Sequence, residues 1–390
     1  MLTFKLAWRN IIGAGLRTWL NVIVLSISFV VIIWQRGMLD GWHQQARRDT
    51  IDWEIGGGEY WQKNYDPYDL FTLEDSHAKI PEEVAGEIST NKMTPVLITQ
   101  ATIYPQGRMQ SVLLKGIPPG QKILALPTEK LGGQSFEIPV MIGTRMAEAT
   151  KLKSGDIVTI RWRDVNGTFD AAEAIVAGLF RTNVPKVDNG QIWLPLQRLQ
   201  AMMQLPDEAT ILVTAPGTEQ KGKIKGWQFK DQNTLLTEID QIIQQKKIGG
   251  SVLYIILLLL AMLAIFDTQV LSIFRRQKEI GTEIALGMTR GQVIRLFTLE
   301  GSMHAVFAAI LAAIYGIPLL YLQAKNGIMM PENSDDYGIA IAEKIFPVYS
   351  LGLIISTILI IFLTATIVSF IPARKISQMK PTDAIRGKIN

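Results

Sequence analysis

A membrane α-helical bundle of four transmembrane helices, with a large α+β domain inserted between helices 1 and 2, is the fold class this 390-residue sequence predicts. Three observations predict it. Residues 18–35, 248–266, 301–324 and 345–373 contain no Lys, Arg, Asp or Glu, and about 20 apolar residues suffice to cross the hydrocarbon core of a bilayer. Between the first and second of these stretches lie roughly 200 polar, strand-like residues, the size of a domain that folds in water. Lys and Arg gather at one end of every span.

The first span is the shortest, about 27 Å at 1.5 Å per residue. Trp19, Trp34 and the stem of Arg17 extend its match to a core of about 30 Å. The following QRGMLDGW offers no small-x-small cleavage site, so the span is expected to be retained rather than removed as a signal peptide. Orientation follows from the basic residues. Lys5, Arg9 and Arg17 precede span 1, Arg275, Arg276, Lys278, Arg290 and Arg295 lie between spans 2 and 3, and Arg374, Lys375, Lys380, Arg386 and Lys388 follow span 4. All three groups fall on one face of a four-span chain, which predicts cytoplasmic termini and an extracytoplasmic insert.

Between spans 1 and 2 the chain carries 24 Lys and Arg against 26 Asp and Glu. The overall pI of 9.0 therefore reflects the membrane flanks and gives no argument for nucleic-acid binding. The absence of cysteine suits an oxidising compartment without disulfides.

Within the insert, Trp34, Met38, Trp42, Gln45, Asp49 and Trp53 recur at helical steps, so span 1 is expected to continue out of the membrane as a helix. Residues 234–247 form a second amphipathic helix just before span 2, and the two are expected to pair as a stalk. Alternating runs at 95–104, 109–116, 156–163, 170–180, 190–195 and 210–214 predict strands, with helices at 143–150 and 196–203. Asn166-Gly167 predicts a type I′ hairpin turn. The triplet Gly56-Gly57-Gly58 and the pair Asp66-Pro67 predict a loop.

No catalytic constellation is present in the sequence. The three histidines, His43, His77 and His304, are far apart, and there is no HExxH or GxSxG motif. GIPPGQK at 116–122 lacks the spacing of a phosphate loop. Residues 275–300 hold a different signal: a helix continuing from span 2, a break at Gly281 or Gly287, and a second helix leading into span 3. Apolar Ile280, Ile284, Ala285 and Leu286 beside Glu279 and Glu283 suit a short helix seated in a cleft on a cytoplasmic partner. Asp267, near the cytoplasmic end of span 2, reads as a headgroup-level contact beside Arg275 and Arg276. Glu300 and His304 stand one helical turn apart and can hydrogen-bond.

The segment KEIGTEIALGMTRGQVIRLFTLEG at 278–301 resembles the (R/K)EIGxxxALG signature, closed by a later Glu, of FtsX/MacB-type ABC transporter permeases. The match runs through Lys278, Glu279, Ile280, Gly281, Ala285, Leu286, Gly287 and Glu300. KLAWRNIIGAGLRTWL at 5–20 is similar to that family's amphipathic N-terminal helix, and IPARKISQMKPTDAIRG at 371–387 to its tail. IGTRMAEATKLKSGDIVTI, AIVAGLF and WLPLQRLQAMM resemble its extracytoplasmic fold. The resemblance implies an amphipathic cytoplasmic helix at 1–18 and transmembrane helices at 19–40, 248–274, 299–323 and 347–372. It places a periplasmic α+β domain with stalk helices at 41–247, a cytoplasmic coupling loop at 275–298, a short extracytoplasmic loop at 324–346 and a cytoplasmic tail at 373–390.

The resemblance further implies a multi-pass protein of the cell inner membrane that dimerises with a second permease, either the same chain or a homologous one. A separate ABC ATPase subunit would dock at the coupling loop and bind ATP and Mg²⁺, with no cofactor in this chain. Lys278, Glu279, Ile280, Gly281, Ile284, Ala285, Leu286 and Gly287 would then form the coupling segment. Because the chain opens directly on the N-terminal helix, with no fused ATPase ahead of it, the lipoprotein-releasing (LolC/LolE-like) permeases are favoured over the MacB-like efflux type. FtsX-like non-transporting regulators of wall hydrolases carry a smaller domain. In a lipoprotein extractor, acyl chains rest between spans 1 and 2, which makes Val30, Ile33, Trp34, Met38, Leu253 and Ile256 candidate lining residues for a lipoprotein or other amphipathic cargo among membrane lipids. Each also reads as an ordinary lipid-facing or helix-packing residue. The carrier-capturing hook of one lipoprotein-releasing subunit would fall near 163–169, where this chain has only a tight hairpin.

Overall fold

The computed structural model of the protein describes residues 15–132, 137–218, 222, 224–330 and 344–377. The helix expected at 1–18, apart from its last turn, lies outside the described residues, as do the tail beyond residue 377 and the middle of the loop at 324–346. The chain forms two compact units: residues 1–42, 242–329 and 345–390 make the first, and residues 43–241 and 330–344 make the second.

The helices of the first unit are α1 (Leu16–Thr50), α2 (Thr237–Arg275), α3 (Gln277–Ala285), α4 (Arg290–Asn326) and α5 (Leu351–Ser377). All but the nine-residue α3 are long and apolar enough to cross a membrane. Their shared core joins Leu25, Phe29 and Ile32 of α1 to Ile265 of α2, Ala305 and Ala308 of α4, and Ile361 and Ala365 of α5. Lipid tails are as apolar as these surfaces, so close packing and polar bonds hold such a bundle together more than the hydrophobic effect does. A Cβ placed on Gly301 of α4 would stand 1.8 Å from Ser369 Oγ of α5, and one on Gly316 would stand 2.7 Å from Val30 Cγ2. Ser302 and Thr366 hydroxyls meet at 2.9 Å, and the Asn21 side-chain amide donates to Ala264 O and Thr268 Oγ1. Leu259, Leu263, Ile314, Ile317 and Ile367 stay exposed on the outer faces, the surface lipid covers on a spanning helix.

The second unit is built on β1 (Gly58–Gln62), β2 (Ala78–Lys79), β3 (Met93–Ile103), β4 (Gln110–Ile117), β5 (Ile138–Gly143), β6 (Ile157–Arg163), β7 (Phe169–Phe180), β8 (Gln191–Pro195), β9 (Glu208–Ala209), β10 (Ile211–Thr214) and β11 (Trp227–Asp231). Nine of them form a sheet in the order β11-β1-β10-β3-β4-β8-β5-β7-β6, and a further β3–β6 pairing closes the last six on themselves. The eleven-residue β3 makes this possible. Its first residues pair with β10, and its last three, from Ala101 to Ile103, pair with β6. Inside the closed part lie Ile103, Leu114, Val140, Val158, Ile160, Val176 and Ile192, capped by Leu199 and Met203 of the helix Leu196–Met203. A separate cluster of Tyr60, Met93, Leu212 and Trp227 packs the extension.

The turn at Asn166-Gly167 differs from the type I′ expectation. Only Gly167 has positive φ, +82°. The Asp164 carboxylate accepts from the backbone N–H of Asn166 (2.9 Å) and of Thr168 (2.8 Å), and Gly167 N–H donates to Asp164 O at 3.0 Å. That local bonding holds Asn166 out of the left-handed region. Gly56, Gly57 and Gly58 are a junction more than a loop: a π-turn Ile51–Ile55 ends at Gly56 and β1 begins at Gly58. Cβ atoms at Gly56 and Gly57 would meet Thr214 O and Ala215 O at 2.5 and 2.4 Å.

On β1, Glu59 is buried and accepts from the Trp61 indole N–H. Burial, opposed by that hydrogen bond and reinforced by nearby Glu54, pushes its carboxyl up to about 7. The folded chain therefore holds a proton that the unfolded chain releases near pH 4.5, so stability falls as pH rises from there to about 7 and then levels. The fall is on the order of 3 kcal/mol. Glu59→Gln is expected to flatten this fall and raise the thermal midpoint at pH 8 but not at pH 4, read by circular dichroism of the full chain. An unchanged difference between the two pH values would refute the assignment.

Candidate functional site

At the end of the first unit where α2, α3 and α4 meet, Arg276 interrupts the helix with φ −98° and ψ 14°. Its guanidinium donates through Nε to Glu279 Oε2 (2.8 Å) and through Nη2 to Glu279 Oε1 (3.1 Å). Nη1 donates to Glu300 Oε2 of α4 at 3.2 Å, and the cation lies 5.2 Å from the Phe297 ring centroid. Arg276 hydrogen bonding holds the Glu279 carboxyl below the usual range. One fork thus ties α2, α3 and α4 together, the bidentate geometry that suits Arg and not Lys.

The sequence places a break at Gly281 or Gly287. The first interruption falls instead at Arg276, where the side chain turns toward Glu300, and Gly281 sits buried inside α3. The second falls at Leu286 and Gly287. Gly287 has φ +105°, and a Cβ there would meet only open space, so conformation and not crowding calls for glycine. Thr289 then starts α4 with a capping box, accepting from Gln292 N at 3.3 Å while its own N–H donates to Gln292 Oε1 at 2.8 Å.

The two sides of α3 differ. Ile280 is 4% exposed and packs with Ile273, Val293, Phe297 and Ala373, with Ile284 against the same cluster. Lys278, Glu279 and Ala285 face outward, and Leu286 at its end is 84% exposed. The apolar residues at 280–286 therefore divide: two fasten the helix to its own bundle, and Ala285 and Leu286 remain free to meet something else. Asp267 stands exposed on α2 while Arg276 engages Glu279 and Glu300. His304 Nδ1 bonds the Glu300 backbone carbonyl at 2.9 Å, and the Glu300 carboxylate goes to Arg276.

At the opposite end of the bundle, Val30 and Ile33 are buried in the helix core, Trp34 and Met38 are half-buried, and Leu253 and Ile256 are each 48% exposed. A cavity of about 370 Å³ lies alongside, between α1, α2 and the start of α5. Gln35, Arg36, Leu39 and Asp40 line it from α1, Lys247 and Tyr254 from α2. The sequence alone gives no sign of these polar residues as a group, because Gln35, Arg36, Asp40 and Lys247 look like span flanks and Tyr254 like one more residue of an apolar stretch. Lys247 Nζ pairs with Asp40 Oδ1 at 2.7 Å. In the second unit, Asp240 of α2 accepts from Arg47 and meets His43 Nε2 at 2.7 Å, which joins the α1 and α2 extensions there.

Comparison with known proteins places this geometry. Residues 251–381 match the FtsX-like permease C-terminal family. Over 331 residues the chain is 21% identical to the lipoprotein-releasing system transmembrane protein LolC of Neisseria meningitidis serogroup B, covering 75% of this chain and 77% of that protein. The crystal structure of the extracellular domain of the noncanonic ABC-type transporter YknZ from Gram-positive bacteria aligns with 45% of this chain and 98% of its own, at 13% identity and a TM-score of 0.29. With four apolar helices and a large α+β unit between the first two, the chain carries a domain similar to the FtsX-like permease C-terminal family over its last three apolar helices.

Proposed function

We propose that this chain couples ATP hydrolysis by a separate ABC ATPase to extraction of lipoproteins from the outer leaflet of the inner membrane. The ATPase, which holds ATP and Mg²⁺, docks at residues 275–298 on the cytoplasmic side, and the β-rich unit lies in the periplasm. Lys278, Glu279, Ile280, Gly281, Ile284, Ala285, Leu286 and Gly287 form the docking segment, and a second permease completes the transporter. The observation that carries the coupling reading is the two-sided α3: Ile280 and Arg276 fix one side to the bundle while Leu286 stands out from the other. An apolar residue so exposed on a fixed short helix suits insertion into a groove. Support for the cargo comes from the likeness to LolC, which spans about three quarters of both chains.

Val30, Ile33, Trp34, Met38, Leu253 and Ile256 are the proposed contacts for acyl chains between α1 and α2, reached when the helices of the two permeases separate. The Asn166-Gly167 turn is too short to hold a soluble carrier, so hand-off falls to the partner permease. The test is purification with the co-expressed ATPase, followed by mass spectrometry of whatever acylated polypeptide accompanies the complex. Met38→Arg is expected to leave ATPase recovery unchanged and cut the acylated cargo at least tenfold, since an arginine at bilayer depth costs about 2.5–3.5 kcal/mol. A cargo without acyl chains, or a yield indifferent to Met38→Arg, counts against this reading.

A further inference from the structure

The cavity between α1, α2 and α5 is not the proposed acyl-chain path; its lining is amphipathic and its charge is unbalanced. Two cations, Arg36 and Lys247, face it against one carboxylate, Asp40. Lys247 is already paired with Asp40 at 2.7 Å. Arg36 meets an aromatic face instead, its guanidinium carbon 5.2 Å from the Tyr254 ring centroid. The Tyr254 hydroxyl is buried and has no hydrogen-bond partner among the described residues. Gln35 spends its amide on Gly250 O at 3.2 Å, which fixes α1 against α2 across the cavity floor. Leu39 and Leu353 supply apolar wall beside these groups.

A guanidinium stacked on a ring keeps its N–H fork directed away from the ring edge, ready for a planar or tetrahedral oxyanion. A buried phenol that lacks an acceptor costs free energy until one arrives, about 1–3 kcal/mol. Together the pair calls for an anion with several oxygens, and the leucines call for it to carry apolar substituents. The volume, about 370 Å³, admits a phosphate ester with its glycerol but not two acyl chains, which would instead run along the exposed face of α2 at Val252, Ile255 and Leu259.

From this we infer that the cavity binds the phosphate-ester headgroup of a membrane lipid, with Arg36 and Tyr254 as its ligands. The site goes beyond the cargo assignment and does not depend on it: a phosphodiester belongs to bilayer lipids and is absent from an acylated polypeptide. A lipid held here ties α1 to α2 at the end of the bundle where the acyl-chain contacts begin.

The test uses the full chain, delipidated in detergent and titrated with phosphatidylglycerol or with a diacylglycerol of the same chains, and counts bound lipid by native mass spectrometry. One phosphatidylglycerol is expected to be retained about tenfold better than diacylglycerol, as a charge-assisted hydrogen bond predicts. Arg36→Gln is expected to erase that preference and Tyr254→Phe to reduce it about threefold, with thermal midpoints near the parent's showing that both variants fold. Equal retention of the two lipids overturns the site. So does full selectivity in Arg36→Lys together with a silent Tyr254→Phe, which would make Arg36 an ordinary interfacial cation. A second arm adds inorganic phosphate: no Arg36-dependent binding is expected, and saturable displacement of phosphatidylglycerol by it would assign the site to the free ion and overturn the lipid assignment.

Discussion

Leu286→Asp is expected to abolish recovery of the ATPase with the permease while membrane insertion proceeds normally. Leu286 is 84% exposed at the end of α3, so its replacement removes nothing from the bundle's own packing. At a docked interface the same side chain would bury its full apolar surface, worth about 1.5–3 kcal/mol. An aspartate in its place adds the cost of desolvating a carboxylate without a partner, so the complex weakens by roughly 4 kcal/mol, near a thousandfold. Leu286→Ala is expected to fall between, about tenfold weaker. The measurement is the ratio of ATPase to permease after affinity purification from membranes, with the permease's own yield as the control for insertion. A parent-like ratio in Leu286→Asp would remove α3 from the interface.

Arg276→Ala is expected to separate docking from coupling. Arg276 does not itself present an apolar surface to a partner; it joins Glu279 of α3 to Glu300 of α4, which is only 4% exposed. Removing the guanidinium takes from a buried carboxylate the cation that meets it, a change of about 3 kcal/mol. The ATPase is expected to remain bound, through Leu286, while its hydrolysis loses dependence on the permease and cargo release drops at least tenfold. Arg276→Lys is expected to recover stability better than coupling, since a lysine restores the charge but not the fork that grips two carboxylates at once. If Arg276→Ala couples hydrolysis to release as the parent does, then α3 moves α4 by another route and the three-way junction has no mechanical part.

The pattern of what the sequence disclosed follows the range of the interactions. Spans were legible because charge is excluded from them, a property each residue shows alone. Strand β6 was legible because its residues alternate, exposed and buried, along all seven positions. Strand β5 was not: IPVMIG is buried at every position, with neighbours on both edges, and a continuous apolar run has no period to read. Strand β1 was lost among glycines whose role is close approach to Thr214 and Ala215, and β11 is short and polar. The β3–β6 pairing that closes the sheet joins residues about sixty positions apart, beyond any local pattern.

The same holds at the sites. Residues 278–287 announced themselves through a contiguous motif, yet which of their apolar residues turn inward depends on Phe297, on the next helix, and Ala373, far along the chain. Arg276 read as one of several cytoplasmic basic residues, because nothing nearby in sequence reports that Glu300 comes within 3.2 Å of it. Arg36 and Tyr254 lie on different helices more than two hundred residues apart, and only the fold makes them neighbours.

The central claim is that residues 277–287 face the cytoplasm and receive a separate ATPase. The chain contains no cysteine, so Leu286→Cys creates a single thiol whose side and exposure can be measured without background. In sealed inside-out vesicles an impermeant maleimide is predicted to label it fully in the permease alone, and binding of the ATPase is predicted to protect it. Labelling only from the periplasmic side, or labelling unchanged by a bound ATPase, would contradict the account.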